Sequence, residues 1–199
     1  MAISQKQSHA FQLFDAANGK DPNIEIYKGE EFPKELLYSL RMTDMLTRFA
    51  PNASEVLQLA ARCQHICRWE IPRENYEMDR VGYLKWREEL KKFHAQKAAK
   101  LLSRVGYDQD VIKEVEFLLL KKKLKKNAET QTLEDVVCLV FLQYYFEPFI
   151  KKHSEEKLLD ILQKTWRKMS SQGQMAALEL SISGKGKELI TKAIADGAE

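Results

Sequence analysis

Apolar residues recur at three- and four-residue spacing along most of the chain, and long alternating β-branched runs are absent. The pattern predicts an all-α protein: a single compact domain over residues 1–199, with about seven to eight helices. Its core is expected at about 31–170, followed by a C-terminal helical segment at 171–199. Ala10, Phe11, Phe14 and Ala17 mark a first helix from Ser4 to Ala17, stopped by Asn18-Gly19. After the turn Asp21-Pro22-Asn23 and an irregular segment through Phe32-Pro33, a second helix spans about 33–49. Its apolar stripe is Tyr38, Met42, Met45, Leu46 and Phe49, with Arg41, Asp44 and Arg48 on the flank. A third helix covers 54–69 and ends at Ile71-Pro72. A fourth runs from about Asp79 to Val105 with Gly106 as its stop, and a fifth, capped by Asp108, covers 109–125. The sixth, about 132–152, is nearly all apolar from Val136 to Phe146 and is the expected central buried element. Ser154 caps a seventh through Met169, and Gly173 and Gly184 punctuate a weaker C-terminal pair.

The third helix concentrates the chemistry. Val56, Leu59, Ala60, Cys63, Ile66 and Cys67 form its apolar stripe, while Gln58, Arg62, His65 and Trp69 stand nearly opposite. Such a polar stripe is ordinarily a solvated face, yet a tryptophan on it covers either another part of the chain or a ligand. Arginines at 62, 68, 73, 80 and 87, His65 and two of the three tryptophans fall within about thirty residues, a density suited to an anion. The candidate ligand-binding residues are Arg41, Arg62, Arg68, Trp69, Arg73, Tyr83, Lys85 and Arg87, with Lys164 from a second basic-aromatic cluster, Lys164-Thr165-Trp166-Arg167-Lys168-Met169-Ser170.

Composition narrows the partners. Apolar residues make up 44% and charged residues 31% of the 199, which suits a compact chain rather than a disordered one. A net charge of +3 is too small by itself to imply nucleic-acid or membrane binding. Three cysteines make no disulfide framework, and Cys63 and Cys67 on the apolar stripe are expected as small buried side chains in a reducing compartment. No apolar run reaches the length of a membrane span and residues 1–20 hold no signal core, so a cytoplasmic protein is expected, with the nucleus as the alternative. The run Lys121–Lys126 reads as a solvated helix end, or else as a nuclear-targeting or nucleic-acid-contacting segment.

His65, His94 and Asp135 are the candidate catalytic residues. Together they could converge in a helical bundle to hold a divalent metal, or act as base and orienter. Asp135 also stands three residues after Thr132, the spacing of a capping box, so helix capping competes with chemistry there. No HExxH, paired CxxC or Ser-His-Asp spacing occurs.

Two resemblances rest on these residues. Arg62-Cys63-Gln64-His65, Arg68-Trp69-Glu70-Ile71-Pro72-Arg73, Gly82-Tyr83-Leu84-Lys85-Trp86-Arg87, Phe93-His94-Ala95, the segment from Leu133-Glu134-Asp135 to Leu142, and the Lys164–Ser170 cluster resemble the signatures of the family catalogued as domain of unknown function 4202. The order of segments also resembles the HD-domain phosphohydrolases, all-α metalloenzymes. The likeness runs through Ala60-Ala61-Arg62-Cys63-Gln64-His65-Ile66, the helix from His94 to Leu102, and Glu134-Asp135-Val136-Val137. Tyr38 falls where that family has its first metal-binding histidine, and Gln64-His65 replaces its His-Asp pair. The second resemblance implies an HD-like fold and carries over Asp135 as the distal metal ligand, so a divalent metal site would be rebuilt from His65, His94 and Asp135. A metal-activated water would then attack a phosphate ester held by Arg62, Arg68, Arg73 and Lys85. The expected ligand is a small phosphorylated or otherwise anionic metabolite such as a nucleotide, with no membrane partner. The competing expectation is a non-catalytic module docking RNA or an acidic protein.

Overall fold

The computed structural model describes residues 3–196, and it is built mostly of helices. The chain divides between Lys122 and Lys123 into two compact units. In the first, α1 (Gln5–Asn18) begins where the Ser4 hydroxyl accepts the Gln7 N–H. The irregular segment expected next is instead a hairpin of β1 (Ile24–Tyr27) and β2 (Glu30–Pro33), with Tyr27 opposite Glu30. Lys28 and Gly29 turn it in left-handed backbone, φ 54° and 86°, which the missing side chain of glycine permits. The helix α2 (Lys34–Phe49) follows, with the Glu35 N–H bound by the Asp21 carboxylate at 2.9 Å.

The expected helix over 54–69 stops early. α3 covers Glu55–Arg62, and the chain then turns through Cys67, whose φ of 52° no α-helix contains. The Asn18 side-chain oxygen holds this corner by accepting the Cys67 N–H at 2.9 Å. Single 3₁₀ turns follow at Arg68–Glu70 and Arg73–Asn75. α4 (Arg80–Val105) starts on an Asp79 cap and ends at Gly106, φ 87°, as its sequence signals required. Gly82 sits in its first turn because a Cβ there would lie 2.1 Å from the Glu77 carbonyl oxygen. α5 (Gln109–Leu119) is shorter than the predicted 109–125. Lys121 closes it in left-handed backbone as Lys121 N–H and Lys122 N–H bond the Leu118 and Phe117 carbonyls, so the lysine run is a turn rather than a helix end. α3 packs on α2 and α5, and α4 on α5 and α1. Phe14, Met42, Leu46, Leu59, Ile66, Leu102, Leu118 and Leu119 are fully buried in this unit.

The second unit holds α6 (Ala128–Val140), a π turn at Phe141–Tyr145, α7 (Phe146–Ile150), α8 (Glu155–Lys168), α9 (Ser171–Leu178) and α10 (Gly184–Asp196). The single sixth helix expected over 132–152 is thus a run interrupted by the π turn, and it begins at an Asn127 cap rather than at Thr132. α6 packs on α8 and α9, and α10 on α7 and α8. No described helix is long and apolar enough to cross a membrane.

Candidate anion-binding site

The turn after α3 takes His65 out of the helical register that would have placed it beside Arg62 and Trp69. Its ring lies flat on Tyr38 of α2, centroids 4.2 Å apart and planes 14° from parallel, and stands 5.7 Å from the ring of His94 on α4. Arg68 brings one guanidinium nitrogen to 3.2 Å from His65 Nε2. The same nitrogen lies 3.5 Å from Nδ1, which faces Glu35 Oε2 at 3.7 Å, so the tautomer with its proton on Nδ1 lets Nε2 accept from Arg68. Burial first, then Arg68, His94, Arg87 and Lys121, holds the His65 pKa well below that of a free imidazole. The contact with Glu35 is therefore that of a neutral ring with a carboxyl, not of an ion pair at neutral pH.

His94 is also neutral. Its Nδ1–H donates to the Ile66 carbonyl at 2.9 Å, which leaves Nε2 as an acceptor, buried and without a hydrogen-bond partner. Burial lowers its pKa to about 3 despite the Ile66 bond, with Arg68 and Arg87 adding to the drop. Glu35, in the first turn of α2, moves the other way. Burial raises its pKa to about 7 against the opposing pull of Arg68 and Lys34, and its Oε2 has no hydrogen-bond partner. A carboxyl poised there exchanges a proton near neutral pH.

The arginines separate by what they hold. Arg41 pairs with Glu25, and Arg62 forks onto both oxygens of Asp15 at 2.8 and 2.6 Å. Arg73 binds the backbone carbonyls of Tyr76, Glu77 and Asp79, fixing the loop before α4. Arg68 and Arg87 make no ion pair among the described residues. Arg68 lies over Trp86, 4.9 Å from its ring, and Arg87 lies 6.0 Å from the ring of Tyr83 and donates to its hydroxyl at 3.4 Å. Trp86 is itself fixed by Nε1–H donating to the Ile71 carbonyl at 2.9 Å. Trp69 is half-buried in the 3₁₀ turn and Lys85 is exposed on α4.

Asp135 and Lys164 belong to the second unit, and each has local partners. Asp135 lies in mid-helix, 2% exposed, and accepts from Ser170 N–H, the Ser170 hydroxyl and Gln131 at 2.8, 2.5 and 3.0 Å. It is not a capping-box acid, since Thr132 donates back to the Ala128 carbonyl inside α6. Its work is to seat Ser170, the cap of α9. Lys164 pairs with Asp160 one turn earlier on α8.

The donor set does not fit the divalent ion that the HD resemblance implied. A guanidinium occupies the lone-pair side of His65, Asp135 already accepts three hydrogen bonds, and no group of three or more His, Cys, Asp or Glu among the described residues could hold a metal. All three cysteines are buried free thiols, and burial pushes that of Cys67 up to about 11. Glu35 escaped the sequence reading, although it stands three residues before Tyr38 in line with Met42 and Met45. An acid on the buried stripe was the available signal.

Fold and site together define a mostly helical protein whose first unit buries neutral histidines beside unpaired guanidinium groups. The chain belongs to the family described as Domain of unknown function (DUF4202), whose model matches residues 8–190. No curated protein and no solved structure matches it.

Proposed function

We propose that the first unit binds a small phosphorylated or otherwise anionic ligand at Arg68 and Arg87, beside Glu35, His65 and His94. The observation that carries this reading is the division among the arginines. Arg41, Arg62 and Arg73 are committed to carboxylates or carbonyls, whereas Arg68 and Arg87 make no ion pair among the described residues, and burial pushes Glu35, the carboxyl that acts on Arg68, toward its neutral form. A half-buried guanidinium with no carboxylate in ion-pair contact favours an incoming anion, because the ligand supplies the missing charge. The unpartnered acceptor on His94 and the carboxyl of Glu35 are buried beside these cations, unsatisfied polar groups that a local opening would expose to the same ligand. Glu35, with its pKa near 7 and the neutral imidazole of His65 beside it, equips the same place for proton transfer, as hydrolysis of a phosphate ester requires.

Calorimetric titration with inorganic phosphate tests the binding. Arg68→Gln and Arg87→Gln are each expected to weaken it about tenfold or more, the loss of one charge-assisted contact. Arg87, which contacts only Tyr83 among the described hydrogen bonds, is expected to do so with little change in melting temperature. Phosphate affinity untouched by both substitutions would overturn the proposal.

A further inference from the structure

Tyr83 is the one ring of this neighbourhood left largely open. It precedes Trp86 by three residues and Arg87 by four, so all three share one side of α4. Trp86 is 8% exposed and spends both its indole N–H and a ring face on the protein. Tyr83 is 43% exposed, and its ring stands tilted to that of Trp86, centroids 5.9 Å apart and planes at 49°, with the Arg87 guanidinium 6.0 Å away. Trp86 in turn meets Arg68 at 4.9 Å, so the Tyr83 ring lies one aromatic neighbour away from that guanidinium as well as against Arg87. An exposed aromatic ring on a rigid helix, next to guanidinium groups that make no ion pair, is the arrangement that receives a flat π system attached to an anion. The charge is met by guanidinium and the ring by stacking.

We infer that Tyr83 sets ligand choice by stacking on a planar aromatic ring, so that the ligand class is an aryl or heterocyclic phosphate rather than an aliphatic one. This rests on the anion site proposed above and deepens it. Apolar contact alone would not distinguish a flat ring from a saturated one of similar size, whereas stacking does.

The test compares inorganic phosphate, phenyl phosphate and cyclohexyl phosphate by calorimetry on the full chain. Phenyl phosphate is expected to bind about tenfold more tightly than cyclohexyl phosphate, the scale of one stacked ring. Tyr83→Phe keeps that ratio, and Tyr83→Leu brings it close to one. Both variants change an exposed helical position, and a circular dichroism melt verifies their folding. A ratio near one in the wild-type protein, or a ratio that survives in Tyr83→Leu, overturns the inference. If phosphate binds through Arg68 but the ratio is absent, only the role of Tyr83 falls. If phosphate does not bind at all, the anion site falls and this inference with it.

Discussion

Tyr38 and His65 lie face to face at 4.2 Å, one from the middle of α2 and the other from the turn that follows α3. The stack fixes the plane of the imidazole and so holds the ring edge between Arg68 and Glu35. Tyr38→Ala is expected to destabilise the protein by about 2–4 kcal/mol, because it removes a buried ring. It should also shift the His65 imidazole resonances, whereas Tyr38→Phe keeps them. Denaturant melts and histidine-selective NMR check both, and His65 signals unmoved by Tyr38→Ala would show that other contacts hold the ring.

Glu35 makes stability depend on pH in a defined direction. Its carboxyl is harder to ionise folded than unfolded, so its contribution is greatest below about 4.5 and is lost as pH rises through about 7. His65 and His94 act oppositely. Their folded pKa values are depressed, so their contribution is present above 6.5 and is lost as pH falls, towards about 3 for His94. Glu35→Gln mimics the protonated carboxyl at every pH. It is expected to be more stable than wild type by on the order of 2–3 kcal/mol at about pH 8, with the advantage gone near pH 4.5. Urea melts across that range check it, and a gap between the two proteins that stays constant with pH would place the Glu35 pKa at its ordinary value.

Gly173 is required by Asp135. A Cβ on Gly173 would lie 2.6 Å from the Asp135 Cγ, and three hydrogen bonds keep that carboxylate from moving aside. Gly173→Ala is expected to cost about 2–4 kcal/mol, the scale of overpacking in a fixed site. Asp135→Ala removes the carboxylate, so the penalty of Gly173→Ala should shrink in that background. A double-mutant cycle reads the coupling directly, and strict additivity would mean that the helix accommodates the methyl group elsewhere.

Helix starts and stops with local causes were legible. Ser4, Asp79 and Gly106 delimit α1 and α4 because a cap side chain or a left-handed glycine acts within three residues. The break after Arg62 was not, because its cause is Asn18 on α1, 49 positions away from the Cys67 N–H that it binds. With the break unseen, His65 belonged to an outward-facing stripe, although the structure turns it against Tyr38. The hairpin at 24–33 was similarly hidden in a segment too short for a periodicity to assert itself.

The candidate site divides along the same line. The arginines at 62–87, His65 and Tyr83 were visible as residue types crowded into one stretch, with His94 on the next packing helix, but which arginines are spent on Asp15, Glu25 or carbonyl oxygens depends on contacts that spacing does not encode. Asp135 looked like chemistry because a carboxylate in an apolar run is costly, and its partner Ser170 lies 35 residues on.

By itself the sequence determined the helical class, the main caps and the stretch where charge and aromatic rings gather, since each follows from periodicity and neighbours within a turn or two. Only the tertiary structure decided which of those charges remain unpaired and that Glu35 joins them. Burial and ion pairing are set by residues brought together from distant parts of the chain, and no local pattern records them.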